Sequence, residues 1–263
     1  MNILLTNDDG IYAKGLWALY GQLKDRHVVT VVAPDRERSA VGHGITLHEP
    51  LHAAKVNVNG GWIGHAVNGT PVDCIKLGLV EILGSKPDIV ISGINPGANV
   101  GVNINYSGTV AAAKEAALYG VPAIAGSIQG YEIDDYGDIA SFMEKLAEYV
   151  CQKGLPFGTI LNVNFPCVTM RDCAGIRISR QGITRLSENF EKRQDPRNRT
   201  YYWYGNDSKK VGDNSEVDTA ALDEKFISIT PIQCDMTDYN ILEDLKEWGI
   251  DKWGERQEVR GER

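Results

Sequence analysis

Short apolar runs alternate along this chain with longer segments in which apolar residues recur every three or four positions. The short runs predict buried strands, and they cover residues 3–5, 28–33, 88–92, 121–125 and 159–163. The longer segments, with an alanine-rich run, predict helices at residues 13–24, 71–83, 110–119 and 138–152. Such alternation is typical of a doubly wound, mostly parallel sheet with helices on both faces. We therefore predict a three-layer α/β/α fold.

The pattern changes near Ile176. Extended segments are predicted at residues 176–180 and 200–204, on either side of a charged stretch at residues 188–199. A β-hairpin arm that protrudes from the core fits this pattern. Its aromatic residues, 201–204, are of the type enriched in subunit contacts.

A further strand at residues 226–232, a short helix at 241–248 and a polar, frayed tail at 251–263 complete the prediction. The expected organisation is a catalytic core over residues 1–175. The arm, the final strand and a C-terminal oligomerisation extension occupy residues 176–263, within one domain overall.

The composition describes an acidic globular protein. Hydrophobic residues make up 43% of the chain and charged residues 24%, which suits a domain with a sizeable core. The net charge of −8 argues against a nucleic-acid partner, since such proteins present a basic face. No apolar run approaches the ~20 residues of a membrane span, and no signal peptide precedes the first strand, so we expect a cytoplasmic protein without membrane contacts. The five cysteines are scattered, which favours reduced thiols over disulfides or a zinc site.

Two adjacent carboxylates, Asp8 and Asp9, directly follow the first predicted strand. Neighbouring charges of this kind repel by roughly 1 to 4 kcal/mol at ~4 Å, and a hard divalent cation relieves the repulsion. A simple polar turn is the alternative interpretation. Two further strands end before loops that carry Ser39, Asn95 and Asn99. Because these loops converge on one edge of a doubly wound sheet, the oxygen ligands favour one Mg²⁺ or Mn²⁺ per subunit.

Ser107, Gly108 and Thr109 stand where the helix at 110–119 begins. Hydroxyl side chains at this position cap a helix, and the same backbone N–H groups also bind anions such as phosphate. The chain has neither a Walker P-loop nor a Gly-x-Gly-x-x-Gly after the first strand. Nucleoside-triphosphate and dinucleotide chemistry are therefore disfavoured. His43 is a possible general acid or a solvated loop residue, and we interpret His27 and the remaining histidines as structural.

Several unlinked motifs resemble the SurE (survival protein E) family of bacterial and archaeal 5′/3′-nucleotidases, and together they extend to about residue 235. They are Asn7-Asp8-Asp9-Gly10, Ala33-Pro34-Asp35-Arg36 with Ser39, Gly69-Thr70-Pro71, Ser92-Gly93-Ile94-Asn95 with Gly97 and Asn99, Tyr106-Ser107-Gly108-Thr109-Val110, Leu161-Asn162-Val163-Asn164 and Ile229-Thr230-Pro231. Residues 40–44 and 114–116 differ from the commoner family pattern, on the substrate side of the site.

The resemblance implies metal-dependent hydrolysis of nucleoside monophosphates, with Asp8, Asp9, Ser39 and Asn95 as metal ligands. It also implies a Rossmann-like core and a homodimer or homotetramer assembled through the hairpin and an exchanged C-terminal segment. We expect Asn95, Asn99, Ser107, Gly108 and Thr109 to hold the phosphoryl group.

The attacking group is either a water that Asp8 or Asp9 orients or deprotonates, or an Asp side chain that forms an aspartyl-phosphate. We favour water, because a carboxylate engaged by a metal is a poorer nucleophile. A non-catalytic nucleotide or phosphate sensor is the rival function. A phosphatase for polyphosphate or other monoesters is a third possibility.

Overall fold

The computed structural model describes residues 1–58, 60–131, 133–183, 189–204, 216–250 and 253. Nine of its strands form one sheet in the order β3-β4-β2-β1-β5-β6-β7-β11-β8, and β9 and β10 form a separate two-stranded ribbon. The strands are β1 (Asn2–Thr6), β2 (Val28–Pro34), β3 (Ala53–Val58), β4 (Trp62–Val67), β5 (Ile89–Pro96), β6 (Ala123–Ile128), β7 (Thr159–Phe165), β8 (Gly175–Ile178), β9 (Phe190–Gln194), β10 (Thr200–Tyr204) and β11 (Phe226–Gln233).

The main sheet is mostly parallel. Within the described part of this sheet, only the β3–β4 and β7–β11 pairs run antiparallel. In β1, Ile3 and Leu5 enter one hydrophobic cluster whereas Leu4 enters the other. Successive side chains point to opposite faces of a strand, so this short apolar run supplies both cores at once.

Helices cover both faces of the sheet, as the sequence predicts. They are α1 (Lys14–Leu23), α2 (Pro71–Leu77), α3 (Gly108–Leu118), α4 (Gly137–Lys153), α5 (Asp218–Asp223) and α6 (Leu242–Glu247). Helices α1 and α4 pack together against one face, and α2 and α3 pack together against the other. The three-layer α/β/α prediction is therefore confirmed. Among the described helices, none is long and apolar enough to cross a bilayer.

Helix α2 begins at a capping box. The Thr70 hydroxyl accepts a hydrogen bond from the backbone N–H of Asp73, and the Asp73 carboxylate accepts one from the N–H of Thr70. Pro71 occupies the first turn, where its missing N–H has no cost. The predicted helix over residues 71–83 is present, but its last part is a π-helical turn, Gly78–Ile82.

The hairpin is present, but its first strand is not the predicted one. The segment at residues 176–180 mostly forms β8, which pairs with β11 in the main sheet. The charged stretch instead contains β9, which pairs antiparallel with β10. All side chains of both hairpin strands are exposed. Because neither face of the hairpin is buried, its sequence lacks the alternation of apolar and polar residues that identifies a half-buried strand. Of the tail predicted at residues 251–263, only Trp253 lies within the described residues.

Candidate active site

Asp8 lies directly beyond β1 and is only 4% exposed. Its Oδ1 accepts a 2.6 Å hydrogen bond from the Thr109 hydroxyl in the first turn of α3. A Cβ atom at Gly108 would lie 2.9 Å from Oδ2 of Asp8, so the start of α3 approaches this carboxylate at a distance that only glycine permits. The structure therefore brings together Asp8, Gly108 and Thr109, three residues predicted for the site.

Two opposing influences act on the Asp8 carboxylate. Burial raises the pKa of Asp8, while hydrogen bonds from the Thr109 hydroxyl and from the backbone N–H groups of Thr109 and Gly108 act in the opposite direction. The N-terminal end of α3 thus faces an Asp carboxylate. This is the type of charge that a helix N-terminus stabilises.

Asp9 is the least satisfied group of the site. Its Oδ2 is buried and has no hydrogen-bond partner. Burial raises its pKa to about 7, and the charges of Asp8 and Glu37 add to this effect. A buried carboxylate oxygen without a partner, next to a second carboxylate, has the chemistry of a ligand for a hard cation.

The loop after β2 is tied to Asp8 through its backbone. The N–H of Arg38 donates to the carbonyl of Asp8 at 2.7 Å, and the Arg38 guanidinium donates to the carbonyl of Asn68 at 2.7 Å. Ser39 follows immediately, and its hydroxyl donates to Oε1 of Glu37 at 2.7 Å. Ser39 therefore lies on a loop that is hydrogen-bonded to Asp8. Its hydroxyl is bound by Glu37, the same residue whose charge raises the pKa of Asp9.

Asn95 lies near the end of β5, the strand next to β1. Thr6, the last residue of β1, pairs with Ser92 of β5. Asn95 follows three residues later, beyond the end of β1. The Asn95 amide nitrogen donates to the carbonyl of Gly97 at 2.6 Å. Since the amide NH₂ is used in this contact, the oxygen Oδ1 is the atom suited to a cation.

Three side chains that the sequence analysis left unassigned fix Asn99. Its backbone N–H donates to Oδ1 of Asn164 at 2.8 Å, and its carbonyl accepts from the amides of Asn162 and Asn164 at 2.8 and 3.1 Å. Its own amide donates to the Ser127 hydroxyl at 2.9 Å. The signal for this support was available in the sequence, because asparagines at alternate positions of an apolar strand share one face.

Ser107 caps α3. Its hydroxyl oxygen accepts a hydrogen bond from the N–H of Val110 at 3.1 Å. The hydroxyl proton is not used by this cap, so the cap and the predicted phosphate contact are compatible.

The His43 side chain contacts Glu115 on α3, and the N–H of the neighbouring Gly42 donates to the carbonyl of Tyr106, just before that helix begins. Nε2 of His43 is 2.8 Å from Oε2 of Glu115, and Lys76 donates to Oε1 of the same carboxylate at 2.9 Å. Glu115 is seven residues along the helix from Gly108, which corresponds to about 10 Å along the axis. Hydrogen bonding from His43, with a further contribution from Lys76, lowers the pKa of Glu115 against the effect of burial. The His43 ring therefore contacts the ion pair of Lys76 with Glu115.

Tyr136 and Glu37 are further residues that sequence reasoning did not identify. Burial raises the pKa of the Tyr136 hydroxyl, and the charge of Asp9 raises it further. Glu37 acts on Asp9, and Asp9 acts on Tyr136, although both partners are distant from Asp9 in the chain. No sequence signal distinguishes them from ordinary loop residues.

Comparison with known proteins shows the family to which this chain belongs. The family model described as "Survival protein SurE" matches residues 3–188. The chain belongs to the SurE family. It is 56% identical over 252 residues to the 5′-nucleotidase SurE of Desulfatibacillum aliphaticivorans, which covers 96% of this chain and 100% of the relative.

Two other SurE proteins extend the comparison. The 5′-nucleotidase SurE of Syntrophobacter fumaroxidans is 46% identical over 250 residues, which covers 95% of this chain and 100% of that relative. The crystal structure of the SurE protein from Aquifex aeolicus superposes with a TM-score of 0.82 at 37% identity, covering 95% of this chain and 100% of that one. The resemblance inferred from the motifs is confirmed.

Proposed function

We propose that this SurE-family chain hydrolyses nucleoside 5′-monophosphates to nucleoside and phosphate, and that it acts on 3′-monophosphates as well. The observation that carries the proposal is the pairing of Asp8 with the first turn of α3, beside the unpartnered carboxylate oxygen of Asp9. A helix N-terminus binds a phosphoryl group, and adjacent carboxylates bind the cation that neutralises it.

The ligands proposed for one Mg²⁺ or Mn²⁺ are Asp8, Asp9, Ser39 and Asn95. The buried, unpartnered Oδ2 of Asp9 fits a cation, and the donor set of carboxylates, hydroxyl and amide oxygen fits a hard one. When bound, the ion supplies positive charge that stabilises negative charge on the transferring phosphoryl group.

Side chains and backbone groups of the chain itself bind the phosphoryl group and position the attacking water. Asn95, Asn99, Ser107, Gly108 and Thr109 hold the phosphoryl group, to which Ser107 donates the hydroxyl proton that its helix cap leaves free. Asp8 or Asp9 orients or deprotonates the attacking water. Thr109 also positions Asp8 through its hydroxyl.

The test is phosphate release from 5′-AMP, 5′-GMP and 3′-AMP with Mg²⁺ or Mn²⁺, with and without EDTA. We expect turnover that EDTA abolishes and that Asp9→Asn reduces by at least about 100-fold. Asp138→Asn, which changes an exposed carboxylate on α4, is the matched control and should leave the rate unchanged. Nucleotide binding without phosphate release would instead support a sensor.

We also propose a homodimer or homotetramer assembled through the hairpin of β9 and β10 and the C-terminal extension. Tyr202, Trp203 and Tyr204 are 59%, 59% and 74% exposed, and aromatic side chains of this size are enriched in interfaces. Light scattering should give a multiple of the 28.9 kDa chain mass, reduced in Trp203→Ser but not in Tyr149→Ser, an equally exposed aromatic on α4. A monomeric wild type would refute this assembly.

A further inference from the structure

A second group of cation ligands lies at the opposite edge of the sheet from the candidate active site. His27 directly precedes β2, at the edge where the parallel strands begin, whereas Asp8 follows β1 at the edge where they end. Glu144 and Glu148 come from α4, one helical turn apart and therefore on one face. One ligand atom from each of these three side chains lies within 4.8 Å of the others.

Two buried atoms in this group have no hydrogen-bond partner. They are Nε2 of His27 and Oε1 of Glu144, and the two side chains are 8% and 1% exposed. The atoms face each other at 3.2 Å without the geometry of a hydrogen bond. Leaving both unsatisfied is costly, and a cation between them satisfies both.

The separations suit a shared ion. Ligands about 2.0–2.2 Å from a tetrahedral Zn²⁺ lie about 3.3–3.6 Å apart. Nε2 of His27 is 3.2 Å from Oε1 of Glu144 and 3.7 Å from Oε1 of Glu148. Glu148 is 47% exposed, so its side chain has room to adjust.

Neighbouring groups orient the buried carboxylate. Gln22 donates to Oε2 of Glu144 at 2.6 Å, and Arg26 forms an ion pair with the same oxygen. This arrangement leaves Oε1 directed at His27, as outer-shell donors commonly do for metal-binding carboxylates. The α-amino group of Met1 is 3.4 Å from Nδ1 of His27. This long contact must give way when Nε2 binds an ion, because the ring proton then sits on Nδ1. An open cavity of about 440 Å³ borders His27.

We propose that His27, Glu144 and Glu148 bind a divalent cation of the Zn²⁺ class, with a water in the fourth position. An imidazole ligand favours Zn²⁺ or Co²⁺ over Mg²⁺ or Ca²⁺, which take oxygen ligands. The ion joins the segment after α1 to α4 and so stabilises the packing of these helices. This site uses no residue of the candidate active site and does not depend on the proposed nucleotidase function. Sequence reasoning assigned His27 a structural role, because its carboxylate partners come from a distant helix.

The test is a Zn²⁺ titration of the full chain in excess Mg²⁺, followed by ¹H–¹⁵N correlation spectra of the five histidine rings. One equivalent of Zn²⁺ should shift the Nε2 signal of His27 before any other ring. Glu148→Gln should weaken the Zn²⁺ affinity at least about 10-fold. Glu81→Gln, an exposed carboxylate on the other face, should not. Phosphatase activity in Mg²⁺ should be equal in both variants.

Because Glu148 is half exposed, its substitution leaves the fold intact, and the result does not depend on the buried Glu144. The proposal is overturned if the His27 signal does not move, or if Glu148→Gln binds Zn²⁺ as the wild type does. A shift of all histidine rings together, only at large excess, would mean an adventitious ion only and would also overturn it. In those cases His27 and Glu144 contact each other directly, with no ion between them.

Discussion

The Thr109 hydroxyl donates a 2.6 Å hydrogen bond to Oδ1 of Asp8, and this bond joins the end of β1 to the first turn of α3. The metal-binding and phosphate-binding parts of the proposed site are therefore connected by one side-chain contact. A change at Thr109 must act on Asp8 as well as on any phosphate held at the helix.

Thr109→Val removes this hydroxyl while it preserves the shape of the side chain. Hydrogen bonds to charged groups contribute about 1.5–3 kcal/mol, so we expect kcat to fall about 10- to 100-fold. Steady-state kinetics with 5′-AMP measures the change. Thr109→Ser keeps the hydroxyl and should retain most of the activity, and equal losses in both variants would contradict a positioning role.

Gly108→Ala places a methyl group against Asp8. The new Cβ would lie 2.8 Å from Cβ of Asp8 and 2.9 Å from its Oδ2, so the carboxylate or the helix must move. Displacements of about 1 Å in an active site cost about 100-fold in rate. Gly61→Ala is the matched control, since a Cβ there meets nothing within 4 Å. An unchanged kcat in Gly108→Ala would show that this close approach is unimportant.

Asp9→Asn should separate activity from stability. Burial raises the Asp9 pKa to about 7, so ionisation opposes folding in the metal-free protein. Below pH 3.8, Asp9 is protonated in both the folded and the unfolded chain and does not reduce the free energy of unfolding. As the pH rises from 3.8 towards 7, the unfolded chain loses this proton more readily than the folded protein, so the free energy of unfolding falls. In EDTA at pH 8, we therefore expect Asp9→Asn to melt at a higher temperature than the wild type.

Calorimetry at pH 8 and pH 5 checks the sign, because the advantage of Asp9→Asn should shrink at the lower pH. Saturating Mn²⁺ should reverse the order at pH 8, since the variant loses a ligand. A variant that is less stable than the wild type in EDTA at pH 8 would be inconsistent with the unpartnered carboxylate.

Glu115→Gln tests the ion-pair network beneath the loop that carries His43. Hydrogen bonding from His43 and Lys76 lowers the Glu115 pKa from 4.5, so the network stabilises the fold above pH 4.5 and is lost as the pH falls below that value. We expect Glu115→Gln to cost about 1–2 kcal/mol at pH 7, with the difference vanishing in acid.

Urea unfolding between pH 3 and pH 7 measures this dependence. Glu243→Gln is the comparison, because Glu243 pairs with Lys246 at 2.6 Å but both side chains are exposed. Exposed pairs contribute little, so this variant should have wild-type stability across the range. A pH-independent loss in Glu115→Gln would mean that packing, not charge, is responsible.

The sequence predicts the doubly wound core well, because parallel strands buried on both faces are continuous apolar runs that need no context. The prediction fails at the hairpin, where β9 consists of charged residues with both faces in solvent. The periodic spacing of apolar residues reflects which side chains are buried, so a strand with no buried side chain cannot be identified from that spacing.

The candidate site divides in the same way. Asp8, Gly108 and Thr109 are recognisable because each follows a strand or begins a helix. Support from Glu37 and Tyr136 depends on contacts between distant segments, whereas the asparagine pair of β7 is visible as two polar positions on one face of an apolar strand. The contact of His43 with Glu115 also joins distant segments, so the loop sequence alone does not predict it.

Helix α3 is enclosed by its neighbours along nearly its whole length, and the alanines that line it are buried: Ala111, Ala112, Ala113, Ala116 and Ala117. Small side chains let this helix sit close to the sheet, and any larger one would push its first turn out of alignment with β1. Evolutionary change in this region is therefore easier in the exposed loops than along the buried face of α3.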